Sequence, residues 1–250
     1  FKGIRLSKNI KGNINCFLCI GCSPKKNILN ISNKVYKLAF FDDFKGERLD
    51  TSMWEYRTDS KHWSTQLANN VEIKNGFLYL NLKKEKALDK DYTGAGIISK
   101  STFGYGYYEA KLKIPEGTGW HTSFWLMRHN DSSSEIEIDI FENDSKYPDS
   151  YEIALHTFPG GHVSVFGQTV QTSNINKEFV VLACEYTPNY VKYYMNGKEV
   201  KNLDTSNFSK GPVNIKMTSI ASWLGGTKSV DDTKLPSTAI FDYVKYYKLN

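Results

Sequence analysis

The sequence predicts an all-β fold, a single sandwich of two sheets with many strands in each. Three observations carry that expectation. Short apolar runs recur between turn residues, with almost no helical periodicity. Aromatic side chains make up 14% of the chain, and such side chains favour half-buried pleated surfaces and stack on flat ligands such as sugar rings. No linker or internal repeat interrupts residues 31–250, so many strands belong to one body, as in a sandwich.

The strands are expected in this order. The run 35–41 comes first, followed by a hairpin of 71–73 and 77–82 around Asn75-Gly76, which supplies the positive φ angles of a tight turn. Runs at 94–99 and 105–114 follow, the second alternating strictly through Tyr108, Ala110, Leu112 and Ile114. Further strands are expected at 122–127, 135–141, 151–156, 163–166, 178–186 and 190–195, then, after the turn Asn196-Gly197, at 213–219 and 239–247. Segments 60–64, 129–134 and 225–236 read as loops.

Charge excludes one class of partner. The net charge is +5, but six of the 32 basic side chains lie in residues 1–30, which hold no acid. The remaining body carries 26 basic against 27 acidic groups and lacks the basic surplus that nucleic-acid binding needs. No run approaches the ~18 apolar residues of a membrane-spanning helix. Residues 1–30 read instead as an export leader with a linker. A basic start leads to the apolar patch Cys16-Phe17-Leu18-Cys19-Ile20, and Gly21-Cys22-Ser23 resembles the lipid-attachment site of bacterial lipoproteins, with Cys22 acylated. The chain is thus expected to be exported, to the cell envelope or beyond, and to act as a monomer. The spacing Cys16-x2-Cys19-x2-Cys22 lacks the second pair of a zinc site, and Cys184 reads as a buried thiol in a strand.

Chemistry concentrates in Ser134-Glu135-Ile136-Glu137-Ile138-Asp139-Ile140-Phe141-Glu142-Asn143-Asp144. Strand alternation sends Ile136, Ile138 and Ile140 to one face and Glu135, Glu137 and Asp139 to the other. Acids two apart on one face repel, and no Lys or Arg within the segment offsets them. They are better explained by work on a ligand, either acid–base chemistry or metal binding. Strict alternation would turn Glu142 to the core; a β-bulge would return it to the face of Glu137 and Asp139. Two carboxylates flanking a sugar bond, with a third between them, equip a retaining glycosidase. Glu137 would attack the anomeric carbon, Glu142 would protonate the leaving oxygen, and Asp139 would tune the pair.

Glu137-Ile-Asp139-Ile-Phe-Glu142 resembles the signature of glycoside hydrolase family 16 in its bulged form, E-[ILV]-D-x-x-E. Segments around Asn70–Leu78, 94–100, 105–111, Gly119-Trp120-His121-Thr122-Ser123-Phe124-Trp125-Leu126-Met127, 193–198 and 241–247 resemble the family in the same order. The resemblance spans residues 37–248. It implies a curved two-sheet jelly-roll sandwich with a substrate cleft across its concave sheet, and an endo-acting, retaining hydrolase, with Glu137, Asp139, Glu142 and His156 at the catalytic centre. It further implies Trp120, Trp125, Trp63, Arg128, Asn70 and Trp223 as substrate-binding residues. No cofactor is implied for catalysis, and a structural calcium is implied on the convex side near Gly76 and Asp242. His121-Thr122-Ser123 departs from the common Pro-Ala after the first tryptophan, and Lys111 stands where arginine is frequent. The bulged signature leaves β-1,3-glucans and β-galactans (agar, porphyran, carrageenan or mucin type) as expected substrates, and no basic cluster stands out in the cleft segments. The rival is a non-catalytic lectin on the same sandwich, in which Glu137, Asp139 and Asn143 would ligate metals.

Overall fold

In the computed structural model, which describes residues 27–128 and 135–250, alternating apolar and polar side chains sort eighteen strands into two sheets. The first nine are β1 (Ile28–Ile31), β2 (Lys34–Asp42), β3 (Trp54–Tyr56), β4 (Ser60–Lys61), β5 (Ser64–Gln66), β6 (Val71–Lys74), β7 (Phe77–Leu82), β8 (Tyr92–Ser99) and β9 (Gly106–Lys113). The rest are β10 (Trp120–Met127), β11 (Ile136–Asp144), β12 (Ser150–Thr157), β13 (Val163–Gln171), β14 (Val180–Tyr186), β15 (Tyr190–Met195), β16 (Lys198–Asp204), β17 (Asn214–Ala221) and β18 (Ser237–Leu249). One sheet runs β1-β2-β18-β9-β14-β15-β16, with β7 also on β18 and β6 on β7. The other runs β13-β12-β11-β10-β17-β8-β5-β4, with β3 also on β8. The strand pairs are antiparallel except β5 with β8, which is parallel.

The inner faces meet in one apolar core. Tyr108, Ala110 and Leu112 of β9 face Phe124 and Leu126 of β10, Ile136, Ile138 and Ile140 of β11, and Ile215 and Met217 of β17, all buried. Both expected hairpin turns form, with φ of 55° and 76° at Asn75 and Gly76 and of 49° and 77° at Asn196 and Gly197. Cys184 is fully buried in β14, and burial raises its thiol pKa, which leaves it inert. Among the described residues no helix is long and apolar enough to cross a membrane.

Some expectations need correction. Segment 60–64 holds β4 and the start of β5 rather than a loop, and 225–236 contains a short 3-10 turn, Asp232–Lys234. β1 lies across the expected domain boundary at residue 30, because it pairs with β2 and its Leu29 and Ile31 cover Tyr36, Tyr107 and Tyr194. The turn after it is pinned by Ser32 Oγ, which donates to Glu185 Oε2 at 2.7 Å. That buried carboxylate also accepts from the hydroxyls of Tyr36, Tyr190 and Tyr194. The leader, with Cys16, Cys19 and the lipid-attachment position Cys22, lies outside the described residues, as does His129.

Ile138 stands between Glu137 and Asp139 and anchors the acidic strand from below. Its replacement should therefore act on stability in proportion to volume: Ile138→Val is expected to cost about 0.5–1.5 kcal/mol and Ile138→Ala about 2–5 kcal/mol in denaturant unfolding. Equal costs for both would mean that the strand is not held by packing at this position.

Candidate active site

β11 is bulged at one residue. On one side Phe124 pairs with Phe141 while Trp125 pairs with Asp139. On the other, Asp139 pairs with Ala154 while Glu142 pairs with Glu152. Ile140 is the extra residue against β10, and against β12 Ile140 and Phe141 together face one residue; both are buried in the core. The consequence is that Glu137, Asp139, Glu142 and Asp144 all share the outer face.

Neighbouring strands surround these acids. Across β10 the same face carries His121, Ser123, Trp125 and Met127, opposite Asp144, Glu142, Asp139 and Glu137 respectively. β17 then places Lys216 beside Trp125 and Thr218 beside Ser123, and β12 sets His156 opposite Glu137. His156 Nε2 lies 3.2 Å from Asp139 Oδ2, close but not aligned as a hydrogen bond. Asp139 Oδ2 and His156 Nδ1 are buried without a hydrogen-bond partner.

The electrostatics follow from burial and crowding. Burial raises Glu137, and Glu142 adds to the rise, against lowering by His156, Lys216 and Lys61. Asp139 is 2% exposed; burial and its two acidic neighbours push it well above the usual carboxylate range. Glu142 goes the other way. Burial would raise it, but the hydrogen bond and charge of His121 hold it below its ordinary value. Lys216 is depressed to about 8 by burial and by Arg57, and its ammonium lies 4.4 Å from the Trp125 ring centre.

The other expected substrate-binding residues separate into groups. Trp125 belongs to the outer face, where a cavity of about 500 Å³ opens beside it, lined also by Lys216, Arg57, Ile98 and Glu55. Trp223 is 51% exposed and packs on His62, ring centres 4.6 Å apart. Trp63 is half-buried and lines a cavity of about 410 Å³ with His62 and Tyr92. Arg128 is half-buried just after β10. Two expectations fail. Trp120 has the parity of Phe124, so it points inward and is 1% exposed, with no face for a sugar. Asn70 is fully buried and its amide donates to Thr93 Oγ1 and the Gly94 carbonyl, a structural role.

The calcium expectation also meets an obstacle. Asp242 Oδ2 is 2.7 Å from the Lys111 ammonium, and the Lys45 side chain lies against Gly76. A dication on Asp242 would have to displace the Lys111 ammonium, while at Gly76 the neighbour is the methylene stem of Lys45, whose ammonium pairs with Asp43. Asn143 turns away from the acids and donates to the carbonyls of Tyr147 and Ser150, which breaks the metal set of the lectin scheme. Among the described residues no cluster of three His, Cys, Asp or Glu side chains is placed to hold a metal. Sequence reading gave no role to His121, Lys216, His62 or Arg57. The signal for His121 was present: it shares the parity of Trp125.

Comparison with known proteins agrees with this geometry. The family model described as glycosyl hydrolases family 16 matches residues 58–244. A β-glucanase from Acetivibrio thermocellus is 27% identical over 84% of this chain, which spans only 62% of that relative. A β-glucanase from Paenibacillus macerans is 31% identical, over 84% of this chain and 85% of its own. In fold, an endo-β-1,3-glucanase from Pyrococcus furiosus superimposes with a TM-score of 0.79 at 21% identity, covering 90% of this chain and 98% of that one.

Two outcomes are expected. A carboxyl raised above its unfolded value of ~3.9 contributes its stability below that pH and loses it as pH rises toward the folded value. Asp139→Asn, neutral throughout, should thus melt above the wild type at pH 7, with the gap closing toward pH 4; a gap independent of pH would mean that Asp139 is ionised. Trp125→Ala should weaken oligosaccharide binding by about 1–3 kcal/mol, on the scale of base–aromatic stacking, whereas Trp120→Ala should lower the melting temperature and leave the affinity of folded protein unchanged. The reverse pattern in calorimetry would exchange their roles.

Proposed function

The chain belongs to glycosyl hydrolase family 16, and from that membership we propose that it is a retaining endo-glycoside hydrolase acting on internal β-linkages of a polysaccharide. The observation that carries the proposal is the bulge at Ile140, which brings Glu137, Asp139 and Glu142 onto one face beside an open cavity. β-1,3-Glucan is the first substrate to test, since the relatives and the structural neighbour named above are β-glucanases; β-galactans are the second, because the bulged signature is shared with enzymes that cleave them.

The chemistry would run in two displacements. Glu137 attacks the anomeric carbon as the bond to the leaving oxygen breaks, and Glu142 supplies that oxygen with a proton. Water then attacks the same carbon, gives its proton back to Glu142, and frees Glu137. Asp139, held neutral by burial, is a hydrogen-bond donor beside Glu137 and adds no third negative charge. His156, Lys216 and Lys61 favour the ionised nucleophile. Trp125 offers a flat surface for a sugar ring next to the reacting bond. An extracellular polymer as substrate agrees with the export signal that residues 16–23 resemble.

Digestion of a panel of laminarin, mixed-linkage glucan, agarose, porphyran, carrageenans and mucin glycans tests this directly. A ladder of oligosaccharides from one polymer, absent with Glu137→Gln, is the expected result. Glu142→Ala should lose the polymer activity but recover on an aryl glycoside with an acidic phenol, which leaves without a proton. A ladder that survives Glu137→Gln would overturn the assignment.

A further inference from the structure

Glu142 presents a difficulty of its own. The first displacement needs a proton on the acid arm, yet in the free protein Glu142 is the carboxyl of the three that is held down, not up. The group chiefly responsible is His121, the first residue of His121-Thr122-Ser123, the segment that departs from the common Pro-Ala after the first tryptophan. Its ring is clamped at both nitrogens: Nε2 is 3.1 Å from Glu142 Oε1 and Nδ1 is 3.2 Å from Asp144 Oδ1. The side chain is 9% exposed, so the clamp is built into the sheet and does not sit on its surface. A cross-strand register holds it: His121 is directly opposite Asp144, with Ser123 opposite Glu142. Asp144 in turn is confined, since its carboxylate fills the space where any side chain at Gly225 would stand.

We propose that His121 is the positioning residue of the acid arm, and that His121 and Glu142 together hold the one proton that is delivered to the departing glycosidic oxygen. This rests on the assignment of Glu142 as acid/base made above. Two proton placements are open to the pair: imidazolium with carboxylate, or imidazole with carboxylic acid. Burial between two carboxylates favours the first in the free protein, where His121 is pushed up to about 9 by its hydrogen bonds to Asp144 and Glu142 although burial alone would lower it. A bound polysaccharide excludes water from the face, and loss of solvation favours the neutral placement, with the proton on Glu142. In the first displacement the proton passes from the pair to the leaving oxygen as the C1–O bond breaks and the bond to Glu137 forms. The pair is then neutral imidazole and carboxylate. In the second, the attacking water bonds to C1, the ester to Glu137 breaks, and the water's proton restores the pair. Atoms and charges balance over the cycle.

The groups that face His121 are few. β11 presents Glu142 and Asp144, with Asp139 within electrostatic reach; β17 presents uncharged Ile220. The turn before β5 brings His62, which His121 and Lys61 hold low together with burial. Glu142 also feels His156.

His121→Gln tests the idea, because its amide reaches about as far as Nε2 and keeps a hydrogen bond but cannot store a proton. kcat and KM would be measured against pH on the cleavable polymer and on an aryl glycoside with an acidic phenol. The wild type should keep its polymer activity up to about pH 9, the point where the pair loses its proton. In His121→Gln the alkaline limb should fall by about one pH unit or more, and polymer kcat by about 10–100-fold, with KM and the aryl glycoside rate nearly unchanged. Asp144→Asn, which keeps the shape of the clamp, should shift the limb the same way by less, and serves if His121→Gln does not fold. An alkaline limb left in place, or equal losses on both substrates, would overturn the proposal. Failure of the underlying assignment is separate: there Glu142→Gln would retain polymer activity, whatever His121 does.

Discussion

Packing beneath β11 governs the working face above it. A regular strand would divide Ile140 and Phe141 between the two faces, but here both enter the core, and the residue that follows must therefore point outward. Large-to-small changes at such positions typically cost several kcal/mol, much more than the bulge gains by relaxing. The geometry of Glu142 is thus enforced by apolar contacts on the opposite side of the sheet. An acid placed in this way needs no attractive interaction with its acidic neighbours to stay where it is.

Enforced placement explains how the strand tolerates its own charge. Three carboxylates at one end of a buried face would repel one another if all were ionised, and burial increases that repulsion. The protein answers in two ways. Asp139, with the least exposure, gives up its charge. Around the rim, basic side chains arrive from three other strands: His121 from β10, His156 from β12 and Lys216 from β17. Each stands at a different point of the acidic row, so Glu137 and Glu142, which are chemically alike, meet different fields. That difference separates their roles.

Much of this could be read from the sequence. Alternation in β9, the two Asn-Gly turns and the Glu-x-Asp-x-x-Glu spacing are local patterns, and each reappears in the structure at the expected residues. What escaped is what depends on register between distant strands. Nothing within 119–127 says that Trp120 rather than Trp125 faces inward until Phe124 and Leu126 are known to meet Ile138 and Met217 in the core. Lys216 looks like a solvated lysine until β17 is placed beside β10. The short strands β3 to β5 are not legible because two or three residues carry no readable period, and β3 and β5 find their partner more than 25 residues away in β8.

The convex sheet shows the same logic applied to a metal position. A carboxylate at the bulge in β18, between Phe241 and Tyr243, would suit a cation. In this chain the cation is covalently part of the protein: Lys111, on the adjacent strand β9, reaches Asp242 at 2.7 Å. A half-exposed pair of this kind contributes only modestly, about 0–1 kcal/mol, and salt weakens it. It gives the bulge carboxylate a partner within the protein. His121 and Lys111 thus have a common structure. Each is a cationic side chain supplied from a neighbouring strand to an acid that a bulge has turned out of register, the one beside the reacting bond and the other where only stability is at issue.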